Sequence, residues 1–125
     1  MHSLMVKKDF IVRHFLTGKD WGKESEIHSH HYVMELEIKG KTLDSNNFLI
    51  DIVELNKVLN ESAEYFQDHV LNSLPEFKDQ NPSLELFAKI LCEKINKRLN
   101  STNISSLSVR LWENPEAWAG YEITL

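Results

Sequence analysis

Apolar and polar residues alternate with period two in two stretches near the start of the chain. Over residues 6–16, Val6, Lys8, Phe10, Val12, His14 and Leu16 share one face, and most of them are apolar. Over residues 30–39, His30, Tyr32, Met34, Leu36 and Ile38 share one face, while Glu35, Glu37 and Lys39 take the other. Side chains of a strand point alternately to its two faces, so both stretches predict half-buried strands of an antiparallel sheet. The segment from Thr17 to Glu26 is polar, contains Gly18 and Gly22, and reads as a loop.

The period then changes. Ile52, Leu55, Leu59 and Phe66, with Val58 beside them, follow helical spacing over residues 51–66. A second helix is predicted after Asn81, a suitable N-cap, with Pro82 in the first helical position. Leu84, Phe87, Ala88, Leu91, Ile95 and Leu99 then share a face, and Lys94, Lys97 and Arg98 suit the negative end of the helix dipole. Alternation returns with Leu107, Val109 and Leu111, and Glu113 continues their face. After the turn-like Asn114-Pro115-Glu116, a last strand is expected over about Trp118 to Leu125. The order ββααββ predicts an α+β fold, a four-stranded antiparallel sheet with two helices on one face.

Three histidines change the picture. In each of the first two strands the histidines sit on the apolar stripe, at the end next to the loop: His14 in one, His28 and His30 in the other. His28 and His30 share a face of their strand, and antiparallel pairing through the loop brings His14 beside them. Three imidazoles leaving a fourth position open is the ligand pattern of a catalytic zinc. His31 is turned to the other face.

Composition narrows the classes. The 125 residues predict one domain spanning 1–125, and 42% hydrophobic with 26% charged residues is ordinary for a globular protein. A net charge of −5 without a basic stripe argues against a nucleic-acid partner. No apolar run approaches the ~18 residues that span a bilayer. Met1 to Lys8 lacks the apolar core of a signal peptide, and one cysteine, Cys92, allows no internal disulfide. A cytoplasmic location is expected. Cys92 falls beside the apolar face of the second helix and reads as a structural thiol.

Taken together, these segments resemble the 6-pyruvoyl-tetrahydropterin synthase / 6-carboxy-tetrahydropterin synthase family, of the tunnelling or T-fold class. The similar motifs are Phe10-Ile11-Val12-Arg13-His14, His28-Ser29-His30-His31-Tyr32, Leu49-Ile50-Asp51 followed by Glu54-Leu55, Asn81-Pro82-Ser83-Leu84-Glu85, and Val109-Arg110-Leu111-Trp112-Glu113. The resemblance implies Zn2+ held by His14, His28 and His30. It implies that Glu113 anchors a pterin by accepting two hydrogen bonds from its amino-pyrimidine edge. It further implies a lyase reaction on 7,8-dihydroneopterin triphosphate, in which zinc acidifies a C–H bond of the substrate's side chain. Assembly into a homo-oligomer, a hexamer built as a dimer of trimers, is implied as well.

Two departures stand out. The family's proton-relaying cysteine has no counterpart between Thr17 and Ile27; its common spacing falls on Glu24, with Glu26 as a competitor. A branch of the family with glutamate in this role yields 6-hydroxymethyl-dihydropterin. The family's Asp-His relay pair is matched by Asp68 and His69 if one residue is shifted, and by Gln67 and Asp68 if the segment is left ungapped. Two functions follow: a lyase with an altered proton relay, or a catalytically inactive pterin- or purine-binding protein with a binding or regulatory role.

Overall fold

A computed structural model describes residues 1–125. The strands are β1 (His2–His14), β2 (His28–Gly40), β3 (Ser106–Asn114) and β4 (Ala117–Thr124), and the helices are α1 (Ile52–Phe66) and α2 (Leu84–Asn96). Three short 3-10 turns, Gly22–Ser25, Leu71–Ser73 and Pro75–Phe77, punctuate the connections. The sheet runs β1-β2-β3-β4, with every neighbouring pair antiparallel. Both helices lie between β2 and β3 in sequence; α1 packs on β1, and α2 on β3 and β4. The fold is the ββααββ arrangement expected.

The apolar stripes account for the core. Val6, Phe10 and Val12 from β1, Tyr32 to Ile38 at alternate positions of β2, and Leu107, Val109 and Leu111 of β3 are all buried. They meet Leu55, Val58, Leu59, Ala63 and Phe66 of α1 and Phe87, Ala88, Leu91, Cys92 and Ile95 of α2 in one cluster of 25 residues. Phe87 is its aromatic centre, with ring centroids 4.9 Å from Phe66, 5.5 Å from Phe77, 5.9 Å from Phe10 and 6.0 Å from Tyr32. Ile52 stays exposed in the first turn of α1. No helix is long and apolar enough to cross a membrane.

Three boundaries differ from the sequence expectation, each for a local reason. β1 starts at His2 and stops at His14, because the Phe15 backbone turns to the Asn72 side chain, which takes both its N–H (3.0 Å) and its carbonyl (2.9 Å). The cap of α2 is Ser83, whose Oγ accepts from Leu86 N (3.1 Å), and not Asn81. Asn81 instead uses its Oδ1 to accept from Thr17 N (3.0 Å). Regular β3–β4 pairing breaks between Trp112 and Asn114, where the register shifts. Asp51 does open α1 as its cap, with Oδ1 accepting from Val53 N (2.9 Å).

The sheet face away from the helices mixes charged residues such as Lys7, Glu35, Glu37 and Arg110 with Met5, Ile11, Val33, Trp112 and Trp118, and the outer edge of β4 pairs with no strand. Residues 68–70 cover part of the outer edge of β1, where Asp68 N donates to Ile11 O (2.7 Å) and Arg13 N to His69 O (2.9 Å). At the far end of β2, Gly40 is closely covered: a Cβ there would lie 2.2 Å from Asn103 O and 2.6 Å from Leu49 Cδ1. One of these obstacles is backbone. Gly40→Ala is therefore expected to destabilise the fold by about 1–3 kcal/mol, seen as a lower urea midpoint at unchanged slope.

Candidate metal centre

The β1–β2 register pairs His14 with His28 and Val12 with His30, so the three imidazoles share the helix-side face at one end of the sheet. Their ring centroids are 4.6 Å (His14–His28), 4.6 Å (His14–His30) and 4.7 Å (His28–His30) apart. His30 also stacks on buried Tyr32, centroid to centroid 5.2 Å, so the aromatic core forms the floor of the cluster. The 3-10 turn Gly22–Ser25 brings Glu24 in from the side, with Oε2 2.8 Å from His28 Nε2. One donor atom from each of His14, Glu24, His28 and His30 lies within 4.8 Å of all the others.

The protons of this cluster do not balance by themselves. The Glu26 carbonyl can only accept, so His28 Nδ1 at 2.8 Å must carry a hydrogen. In the neutral ring that leaves a lone pair on Nε2, facing both His30 Nε2 at 3.0 Å and the Glu24 carboxylate. His14 is buried, with the Pro82 backbone as a hydrogen-bond partner of its ring, and one of its ring nitrogens lies with the donor atoms of the cluster. Acceptors that converge in this way need a proton or a cation among them. A backbone carbonyl that fixes the tautomer of a histidine is also the usual support of a metal ligand. The donor set therefore suits a divalent metal.

Burial favours the neutral form of His14 and His30. It pushes His14 down to about 4, with His30 and His28 adding to the effect. Burial also lowers His30, helped by His28 and opposed by the negative charges of Glu113 and Glu24. Tyr32 is raised, chiefly by burial and further by Glu113 and Glu24, so its phenol keeps its proton.

The other candidates fall into place less evenly. Glu26 points its carboxylate to solvent and contributes only its carbonyl. His31 lies on the opposite face, bonded to Asp9 Oδ2 at 2.8 Å. Glu113, which continues the stripe of Leu107, Val109 and Leu111 in the sequence, sits at the β3 irregularity and is exposed; Leu111 is the last buried residue of that stripe. Its charge still reaches His30 and Tyr32. Asp68 and His69 stand outside the cluster, exposed and not bonded to each other. α1 ends at Phe66, Asp68 takes a positive φ of 63°, and the two side chains turn to Gln67: Asp68 Oδ1 to its Nε2, His69 Nδ1 to its carbonyl. Cys92 is fully buried and its thiol is pushed up to about 11 by that burial, which removes it as a reactive group. Asn81 stands out in the sequence as a helix cap, but the anchoring of the loop by Asn72 and Asn81 leaves no sign there, since each acts on a backbone more than fifty residues away.

An antiparallel α+β sheet carrying three histidines and a carboxylate at one end defines a fold with a candidate metal centre. The profile of 6-pyruvoyl tetrahydropterin synthase matches residues 3–124, and the protein belongs to that family. It is 28% identical over 116 residues to a provisionally assigned 6-carboxy-5,6,7,8-tetrahydropterin synthase of Archaeoglobus fulgidus, covering 91% of this sequence and 90% of that one. It is 23% identical over 128 residues to the 6-carboxy-5,6,7,8-tetrahydropterin synthase of Bacillus subtilis, covering 96% and 86%. Among solved structures, 6-pyruvoyl tetrahydropterin synthase of Plasmodium vivax shares the fold at TM-score 0.85 with 14% identity, covering 99% and 98%. Structures also exist of that Plasmodium enzyme with a glutamate described as catalytic replaced by alanine or by cysteine.

Two measurements check the centre. Metal analysis after loading with Zn2+ should give about one ion per protomer for the parent and for His31→Ala, and a large loss for His30→Ala. Retention of zinc by His30→Ala would remove the site. The second is the pH dependence of the metal-free protein. Between the ordinary histidine value of 6.5 and about 4, the unfolded protein holds a proton on His14 that the folded protein refuses. Stability should therefore fall as pH drops through that window, by at most about 3 kcal/mol from this group, in urea titrations at pH 7 and pH 4.5.

Proposed function

We propose that this protein is a zinc-dependent lyase acting on 7,8-dihydroneopterin triphosphate, with the Glu24 carboxylate as the group that moves the proton. The observation that carries the reading is the position of Glu24, 2.8 Å from His28 Nε2 and within the histidine cluster, at the place where the family's usual thiolate is missing. The named relatives that act as tetrahydropterin synthases, and the Plasmodium enzyme with its catalytic glutamate, support it.

His14, His28 and His30 would hold the zinc. Bound there, the ion would supply a Lewis acid that draws electron density from the oxygens of the substrate's side chain. Glu24 Oε2 would then take the proton from the neighbouring carbon and return it at the next one. A carboxylate is ionised at neutral pH without help from a second base. Glu113 would hold the ring: its two oxygens match the two parallel N–H donors of the amino-pyrimidine edge, and such paired, charge-assisted bonds are about twice as strong as neutral ones. Its electrostatic effect on His30 and Tyr32 supports a place at the same end of the sheet as the metal.

Asp68 and His69 enter this reading as a relay contributed by a neighbouring copy, because within one protomer they lie outside the cluster. The unpaired edge of β4 and the partly open edge of β1 support a homo-oligomer, read as a hexamer of two stacked trimers with sites between subunits. A strictly monomeric species in sedimentation at micromolar concentration would contradict that assembly. A cytoplasmic compartment rests on the single cysteine.

The separation of Asp68 and His69 favours a second reading, a pterin-binding protein without turnover. Incubating the zinc-loaded protein with dihydroneopterin triphosphate and weighing the pterin product separates the two. A pyruvoyl, carboxy or hydroxymethyl pterin names the reaction; tight binding without product selects the second reading. Glu24→Gln should abolish turnover while pterin binding stays nearly intact. Glu113→Gln exchanges an acceptor for a donor facing an N–H group, and should cost about 2–3 kcal/mol, roughly 30–150-fold in neopterin affinity by calorimetry, at unchanged zinc content.

A further inference from the structure

Residues 15–26 form a closed unit. Leu16 N donates to Glu24 O (2.8 Å), Trp21 Nε1 to Thr17 O (2.8 Å), and Trp21 N to Ser25 Oγ (2.8 Å). Apart from the contacts of Glu24 and Glu26 with His28, this unit makes hydrogen bonds to the rest of the protein through two side chains only. Asn72 accepts from Phe15 N with Oδ1 (3.0 Å) and donates to Phe15 O with Nδ2 (2.9 Å), as a neighbouring strand would. Asn81 accepts from Thr17 N with Oδ1 (3.0 Å). Both asparagines are themselves anchored: Asn72 follows buried Leu71, and Asn81 precedes buried Pro82 and the Ser83 cap of α2. The Leu16–Glu24 backbone bond then passes the position of residues 15–17 directly to Glu24.

We propose that Asn72 and Asn81 are positioning residues that clamp the start of this loop and thereby set where the Glu24 carboxylate stands over the three histidines. The proposal rests on the reading of Glu24 as the proton-moving group. Neither asparagine touches the cluster. They act by geometry: a carboxylate displaced by about an ångström loses the line to the carbon it serves, which can cost about 100-fold in rate.

The two clamps differ in chemistry, and that provides the test. Asn81 is used only as an acceptor, so Asn81→Asp keeps its bond and Asn81→Ala loses it. Asn72 both accepts and donates, so Asn72→Asp loses the donated bond and sets a carboxylate oxygen against the Phe15 carbonyl. The readouts are zinc content, kcat and KM of the zinc-loaded protein with dihydroneopterin triphosphate, and hydrogen exchange of the Phe15, Leu16 and Thr17 amides. Asn81→Ala, Asn72→Ala and Asn72→Asp should speed exchange of the Leu16 amide about 10-fold or more, by freeing the loop. They should lower kcat about 100-fold with KM and zinc content nearly unchanged. Asn81→Asp should behave as the parent in every readout. Unchanged Leu16 exchange in both alanine variants, or an Asn81→Asp variant as impaired as Asn81→Ala, overturns the clamp. If the parent makes no product, the lyase reading fails, and the exchange pattern alone still decides whether the asparagines hold the loop. Should Asn72→Ala not fold, the Asn81 pair carries the test.

Discussion

β1 and β2 pair without a break from His2↔Gly40 to His14↔His28, and a slip of one residue would send every side chain of one strand to the opposite face. The register is pinned by burial, because Val6, Phe10 and Val12 on one strand and Tyr32, Met34, Leu36 and Ile38 on the other must all face the helices. The three histidines continue these same stripes beyond their apolar part. Whatever pairing buries the core therefore also gathers the imidazoles, and the site follows from the hydrophobic effect acting several residues away. Tyr32 joins the two regions, with Phe87 near its ring on one side and His30 stacked on it.

That arrangement carries an electrostatic cost. The cluster collects a His28 lone pair, a His30 nitrogen 3.0 Å away, a His14 ring nitrogen and a carboxylate. A buried acceptor without a donor costs about 1–3 kcal/mol, so the metal-free site works against the stability of the fold that makes it. Protonating His14 does not relieve this, because burial holds that ring neutral down to about 4. A divalent cation held by the three histidines would satisfy their nitrogens and couple its binding energy to folding.

The histidine cluster is legible in the sequence because its causes are local: strand alternation, two stripes, and a loop between them. Boundaries and long-range contacts are less so. Asn81 has the side chain of a helix cap, yet Ser83 stands two residues on with the same capability, and Thr17 N claims Asn81. Glu113 continues the period-two stripe in sequence, but a register shift beside it ends the regular pairing that the pattern assumes. Asp68 and His69 are neighbours that a family relay would use as a pair, and the helix stops at Phe66 in a way that turns both toward Gln67. A residue in the left-handed region, such as Asp68 at φ 63°, leaves little mark in a hydrophobic pattern. The choice between Glu24 and Glu26 is open in the sequence because both lie in an irregular loop. It is the 3-10 turn that separates them, directing the first carboxylate inward and leaving only the carbonyl of the second against His28.

A glutamate at the spacing where the resemblance expects a cysteine places a demand on this loop. A cysteine sulfur lies one rotatable bond from the backbone, whereas a glutamate oxygen lies at the end of a longer arm with more rotamers to restrain. The two groups cannot reach the same point from the same Cα position. A protein that uses glutamate must hold its loop at a distance that suits the longer arm, and must hold it firmly, since the side chain adds freedom of its own. The His28 contact restrains the carboxylate end, and the Leu16–Glu24 bond restrains the backbone end. The position of the Glu24 carboxylate is thus set less by the residue that carries it than by the backbone bonds that fix where its side chain begins.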